Sequence, residues 1–360
     1  MENLPKTFLF PQLNEIVRDF KGVHDHVHPL KDQARLETLK WFSSFEKMDA
    51  QRLEILKHTR TDYLMASMYP NVDFDGLVLS MQWIYWSFLF DDTVDSGKLT
   101  DGEVKHLVQM YEDVQRNRTL EGSQPRSLII EAFQGIWRRF RDRKCPQFEG
   151  LFAEAMIDWT TSLPQVNDIR KNTKVADMDI YKASRRRTLG LEAAFYFGGL
   201  IRRLSIDEQV IRSAEMKQLD SHIIEMSGLI NDIFSWNVEQ SSGDMCNFIS
   251  VLIIREKRTV QEAMDEAEQQ LRSQAAKLRL AKLHVLNIFA EHKDIEDLKS
   301  LIETNVRWLW IAVEWSFVAA DRYFGGRKAA EEARDCGIVQ IMPLRQEGTQ
   351  PVKDLDKYVG

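Results

Sequence analysis

A chain of 360 residues, 44% hydrophobic and 29% charged, has the composition of a protein with a sizeable core, and its net charge of −7 argues against a nucleic-acid surface. Gly and Pro number only 17 and 9, too few for the turns of a many-stranded fold, so long helices are favoured. The three cysteines, Cys145, Cys246 and Cys336, are scattered in no metal spacing and suit a reducing compartment; the apolar run WLWIAVEWSFVAA at 308–320 is too short to span a bilayer and carries Glu314.

The first residues, MENLPKTFLFPQLNEI, hold only a four-residue apolar run and no basic leader, so no secretory signal and a cytoplasmic location are expected. His24, His26 and His28 follow at alternate positions. Pro29 comes next and no further His or Cys cluster is near, so a solvated segment is a better reading than a zinc site. Beyond them apolar residues recur at helical spacing almost throughout. The spacing predicts helices over about 30–48, 50–68, 74–93, 101–117, 125–142, 147–162, 176–200, 206–239, 247–256, 258–292 and 295–324. Breaks fall at YPNVD (69–73), EGSQP (121–125), SSGD (241–244) and FGG (324–326). No repeat or linker divides this run, so one all-α domain over 1–343 is expected, with 344–360 as a polar C-terminal tail.

Within the 74–93 helix, the crowded aromatics Trp83, Tyr85, Trp86, Phe88 and Phe90 run into DDTVD at 91–95. Asp91 and Asp95 are four residues apart and share a face, while Asp92 points away. Two carboxylates about 5–6 Å apart repel by about 2–3 kcal/mol at an effective dielectric near 20. They also sit at the negative end of the helix dipole. An arrangement so unfavourable when empty calls for a cation. Three, four and seven residues before Asp91 stand Phe88, Ser87 and Ile84, which should line whatever space Asp91 faces.

A second constellation, NDIFSWNVE at 231–239, lies late in a long helical stretch. Asn231, Ser235 and Glu239 are spaced by four, and each step drifts about 40° around the helix, so the three share a stripe about 80° wide. An amide oxygen, a hydroxyl and a carboxylate are hard donors suited to Mg²⁺ and poorly suited to Zn²⁺. Ser227 and Gly228, small residues on the same stripe, leave room for something bulky. Taken alone, the triplet has a plainer reading, in which Asn and Ser back-bond to the helix and Glu239 faces water.

Together, DDTVD and NDIFSWNVE resemble the paired DDxxD and NDxxSxxxE motifs of microbial class I terpene synthases, of the fungal sesquiterpene cyclase type. The order and approximate separation of the motifs also match. The resemblance implies an all-α bundle around an apolar active-site cavity, with a cluster of about three Mg²⁺ ions held by Asp91 and Asp95 on one side and by Asn231, Ser235 and Glu239 on the other. It implies farnesyl diphosphate as substrate, ionised by release of diphosphate and cyclised to a sesquiterpene hydrocarbon or alcohol. It further implies a diphosphate-sensing arginine 46 residues before Asn231, which is Arg185 in YKASRRRTLG, with Thr188 and Gly190 at the linker and helix break. Arg322 and Tyr323, in DRYFGG, stand where the family has an Arg-Tyr pair that closes over the diphosphate.

Two positions depart from the pattern. Val238 replaces a lysine common in relatives, and Ser316 stands where relatives often have a tryptophan, with Trp315 one residue earlier. One residue is about 100° of rotation, which counts against Trp315 as a cavity residue. Chain-elongating prenyltransferases carry a second aspartate-rich motif where this chain has the triplet, so cyclisation is expected over elongation. A non-catalytic helical scaffold with solvated acidic faces would have to treat four ordered matches as coincidence. The expected partner is a small isoprenoid diphosphate, with no nucleic acid and no membrane span, and monomer and homodimer both remain open.

Overall fold

The computed structural model describes residues 4–22, 26–95, 100–116, 128–172 and 175–344. The sequence near the N-terminus conceals a strand. Thr7–Leu9 (β1) pairs antiparallel with Ile338–Gln340 (β2), Phe8 opposite Val339. This ties the first described residues to the last, an outcome of long-range pairing that a three-residue run cannot announce.

Helices follow in chain order: α1 (Leu13–Val17), α2 (Lys31–Ser43), α3 (Ala50–His58) and α4 (Thr61–Met68). The single helix expected over 50–68 is two, because Arg60 turns left-handed at φ 54° between them. His28 also departs from expectation. It is buried, accepts from the Leu30 amide at Nδ1 (3.1 Å) and donates from Nε2 to the Val72 carbonyl (3.0 Å), so it fastens the N-terminal segment and is not solvated. His24 lies outside the described residues.

The helix α5 (Phe74–Asp95) is buried on every side from Gly76 to Trp86. A helix apolar all round has to be enclosed by others. Trp86 shows what holds it: the indole stacks on Phe90 at 5.2 Å and donates to the Ile129 carbonyl at 2.8 Å. Burying each such side chain contributes about 1.5–3 kcal/mol. Ser87 and Phe88 then break the pattern, half-buried where their neighbours are fully so.

Next come α6 (Asp101–Gln115), α7 (Leu128–Arg141) and α8 (Pro146–Asn172), the last extending beyond the expected end at 162. The stretch expected as one helix over 176–200 divides into α9 (Met178–Thr188) and α10 (Leu191–Ile201). Gly190 makes the division, left-handed at φ 62°; a Cβ there would also press on the Trp159 ring at 3.0 Å. Then follow α11 (Glu208–Ile211), α12 (Ala214–Ser242), α13 (Phe248–Arg255), α14 (Val260–Ile288), α15 (Ile295–Val318), α16 (Ala320–Tyr323) and α17 (Arg327–Cys336). Ser213 caps α12 at its start and left-handed Gly243, φ 82°, ends it. α12 packs between α14 and α15 and touches α9, while α10 packs against α8, α15 and α5. The all-α architecture expected from the sequence is the one observed. Among the described residues no helix is long and apolar enough to cross a membrane.

Candidate active site

Asp91 is half-buried in the last turn of α5. Asp92 and Asp95 belong to the same turn, and their side chains lie outside the described residues. Below Asp91, Ser87 bonds back to the Trp83 carbonyl at 2.9 Å, and Ile84 is buried one turn deeper. The half-buried Phe88 ring joins a chain of aromatics that crosses the molecule: Phe88 to Trp315 at 5.8 Å, Trp315 to Tyr323 at 5.8 Å, Tyr323 to Phe234 at 5.7 Å. Trp315 therefore packs against two of the expected site residues, Phe88 and Tyr323. The indole is long enough to reach Phe88 while its N–H donates to the Thr59 carbonyl at 2.9 Å. Arg322 lays its guanidinium over Phe88, 5.0 Å from the ring centroid, and buried Tyr323 stands beside it.

On α12, the spacing of four brings the triplet onto one face, and the structure adds a residue that gathers it. Asn247, the N-cap of α13, donates from Nδ2 to Glu239 Oε2 at 2.9 Å, Ser235 Oγ at 3.4 Å and the Asp232 carbonyl at 3.0 Å. Two of the three triplet oxygens thus lie within 3.4 Å of one amide nitrogen. The third, Asn231 Oδ1, accepts from the Arg185 guanidinium. Arg185 reaches across from α9 and also pairs with Asp232 at 2.8 Å, while its buried Nε has no hydrogen-bond acceptor. Asp232 is almost fully enclosed and is held by the Phe248 amide at 2.8 Å and by the Tyr181 hydroxyl.

Negative charge accumulates here. Burial first, then Glu239 and Asp244, push the Asp232 carboxyl well above its ordinary range. Burial and Asp244 push Glu239 up as well, against Arg185, Asn247 and Ser235. Burial likewise raises the Tyr323 phenol, which favours its neutral, donating form. Among the described residues no three His, Cys, Asp or Glu side chains converge as a metal cage. The α12 set is a mixed one of carboxylate, hydroxyl and amide oxygen, which fits Mg²⁺. Asn247 already places a partial positive charge against two of those oxygens, the place a cation would take.

Asp232, Tyr181 and Asn247 are the residues that the sequence reading passed over. Asp232 lies inside NDIFSWNVE, but only the fold shows that it anchors Arg185. Arg186 and Arg187, by contrast, pair outward with Glu225 and with Asp158.

Residues 82–277 match the family model described as terpene synthase family 2, C-terminal metal binding. The chain is similar to a silphinene synthase from Penicillium patulum, 24% identical over 310 residues that cover 83% of this chain and 82% of the relative. It is 23% identical to a viridiflorene synthase from Cyclocybe aegerita over 355 residues, 94% and 87% of the two chains. Among solved structures, an a-eudesmol synthase superposes with a TM-score of 0.74 at 19% identity, over 82% of this chain and 97% of that one. A hedycaryol synthase in complex with HEPES superposes with a TM-score of 0.70 at 16% identity, over 88% and 99%.

Proposed function

This chain belongs to terpene synthase family 2, and from that premise we propose that it is a Mg²⁺-dependent sesquiterpene cyclase, a carbon–oxygen lyase that releases diphosphate from farnesyl diphosphate. The observation that carries the proposal is the convergence of Asn231, Ser235 and Glu239 with Arg185, tied together by Asn247 and Asp232. Relatives named as sesquiterpene synthases support the C15 substrate.

In this reading Asp91 and Asp95 hold metal on the α5 side and the triplet holds it on α12. When bound, Mg²⁺ supplies Lewis-acid stabilisation to the departing diphosphate oxygens. The chain's own residues do the rest. Arg185, with its unsatisfied Nε, and Arg322 and Tyr323 donate to the same leaving group as its charge develops. The allylic C–O bond breaks, the electron pair leaves with the diphosphate, and the carbocation remains among Phe88, Ser87 and Ile84. Aromatic faces there stabilise it by about 0.5–2 kcal/mol each, and apolar walls keep water away. Ring closure, followed by loss of a proton to give a hydrocarbon or by capture of water and loss of one of its protons to give an alcohol, ends the sequence. The reading treats residues 1–343 as one domain and places the protein in the cytoplasm.

The test is incubation with C10, C15 and C20 isoprenoid diphosphates and Mg²⁺, with products analysed by gas chromatography. A cyclic C15 product and free diphosphate are expected, with activity abolished by EDTA. Longer isoprenoid diphosphates as products would instead make the chain a prenyltransferase, and full activity in EDTA would remove the metal from the mechanism.

A further inference from the structure

The outer face of α14 inverts the usual order of a surface helix. Its core side holds Leu271, Ala275, Leu278 and Val285, all buried. Opposite Leu278 and Val285, the positions Ala276, Leu280, Leu283 and Asn287 fall within about 60° of one another, where charged residues ordinarily stand. Leu280 and Leu283 are 69% and 66% exposed, and Ile288 at the helix end is 48% exposed. Leucines three residues apart on one stripe form a patch, unlike the single apolar residues common on protein surfaces.

Positive charge flanks the stripe. From 273 to 290 the sequence has no Asp or Glu, in a chain that carries 55 of them, and it has Lys277, Arg279 and Lys282. Lys277 lies on one flank and Arg279 on the other, each about 70–90° from the middle of the stripe. Lys282 stands farther round the helix, half-buried. Arg279 pairs with Asp19 at 2.8 Å and lies over the Phe20 ring, whereas Lys277 and Lys282 form no ion pair with a described residue. Glu268, nearer the start of α14, is taken by Arg272, and Glu291 stands beyond the helix end.

Leucines between cations match an anionic lipid surface, where apolar side chains enter the acyl boundary while lysine and arginine stems reach back to the headgroups. We propose that the C-terminal half of α14 is a membrane-docking face, which seats Leu280 and Leu283 in an anionic lipid surface with Lys277, Arg279 and Lys282 at the headgroups. The helix lies on the membrane in this arrangement and does not cross it. The chain as a whole carries −7, so an anionic surface favours approach by this face over acidic ones. A second copy of the chain fits the stripe poorly. A two-fold contact would set Lys277 and Arg279 against their own copies with no carboxylate from 273 to 290. Two leucines also fall far short of the roughly 800 Å² per partner that a stable interface buries. The proposal does not depend on the cyclase reading.

The experiment floats the whole chain with vesicles of phosphatidylcholine, alone or with about 30% phosphatidylserine, and measures the bound fraction. Binding is expected on the anionic vesicles, about tenfold stronger than on phosphatidylcholine, and it should weaken as salt rises. L280S/L283S should lower the partition by about tenfold or more, and K277Q/K282Q by roughly tenfold. All four positions lie on the surface or its edge, so the Tm of each variant should stay near the parent's. Should a double variant fail to fold, Leu283→Glu decides alone, since one carboxylate on the stripe should also abolish binding. No binding to anionic vesicles, or equal binding by L280S/L283S, would overturn the proposal. A parent dimer in sedimentation velocity that L280S/L283S dissolves would overturn it too, and would give the stripe to a second copy.

Discussion

Arg185 and Asp232 meet at 2.8 Å across the gap between α9 and α12, and the same guanidinium holds the oxygen of Asn231. Asp232 is 1% exposed and fixed by two further donors, so it serves as a post that fixes where Arg185 stands. Under the proposed function the pairing also links metal and diphosphate binding. In the proposed function, Asn231 would not offer its oxygen fully to a metal until Arg185 yielded it, and a bound diphosphate would give Arg185 another acceptor. Asp232→Asn should therefore slow diphosphate release by about ten- to hundredfold, since removing one partner of a buried pair costs several kcal/mol. It should lower the Tm as well. Asp179→Asn, on the outer part of α9, is the control. A variant at position 232 with normal release kinetics would leave Arg185 independent of its post.

Asn247 makes a second prediction, because it touches two of the proposed ligands, Ser235 and Glu239, without having to be one. Asn247→Ala should raise the Mg²⁺ concentration for half-maximal activity severalfold and cost about 1 kcal/mol of stability as a lost N-cap. Asn231→Ala, Ser235→Ala and Glu239→Ala should each raise it further, with strongly non-additive losses in combination. Metal titrations of diphosphate release give the comparison. Multiplicative, independent effects would separate the three from a common ligand sphere.

What the sequence disclosed follows physical lines. α5 and α12 were legible because each combines a long apolar period with polar residues at one spacing, and the spacing alone puts them on a face. The α9–α10 break was legible only through the resemblance, which put a helix break at Gly190; helical spacing alone ran one helix through 176–200. The α3–α4 break was not, since Arg60 takes a left-handed turn with no Gly or Pro to mark it. β1 and β2 depend on a partner more than three hundred residues away. Trp315 shows the limit of wheel arithmetic: 100° of rotation decides where Cβ points, and an indole reaches well past that. Asp232 and Asn247 matter through tertiary contacts that no local pattern encodes.

Asp220 carries a prediction about pH and stability. It lies buried on α12 with Asn305 Nδ2 donating to it at 3.3 Å, and burial pushes its carboxyl up to about 7 from 3.8. A carboxyl raised in the folded state binds its proton more tightly there than in the unfolded chain. Its contribution to stability is thus full below pH 3.8 and is lost as pH rises through about 7. The limit of that loss is about 4 kcal/mol. Thermal unfolding should show a Tm that falls between pH 5 and pH 8, and Asp220→Asn should remove much of the fall while keeping the Asn305 contact. An Asp220→Asn protein with the parent's pH slope would assign that slope to other groups.

Phe88 and Arg322 give the last prediction. On the sequence alone, Phe88 is a wall of the hydrocarbon space and Arg322 a hold on the diphosphate, so their substitutions should act separately, one on products and the other on rate. The structure joins them, with the guanidinium 5.0 Å from the Phe88 centroid and Trp315 edge-on to the same ring. The cation–π contact contributes about 0.5–2 kcal/mol, more toward the upper value as water leaves. Phe88→Ala removes the wall and the platform together. Diphosphate release should slow by about three- to thirtyfold, since 1.4 kcal/mol is a factor of ten, and products should shift toward early-quenched species. Phe88→Tyr keeps a ring under Arg322, so release should stay near the parent rate whatever happens to the products. Arg322→Gln should slow release by about ten- to hundredfold, with the product ratios much less changed, because the wall stays in place. Ser87→Ala touches the wall alone, so it should alter products at an unchanged rate. The measurement is release rate and product profile taken together for all four variants. Parent-like release in Phe88→Ala would show that Arg322 needs no aromatic platform and would restore the simple division between wall and clamp.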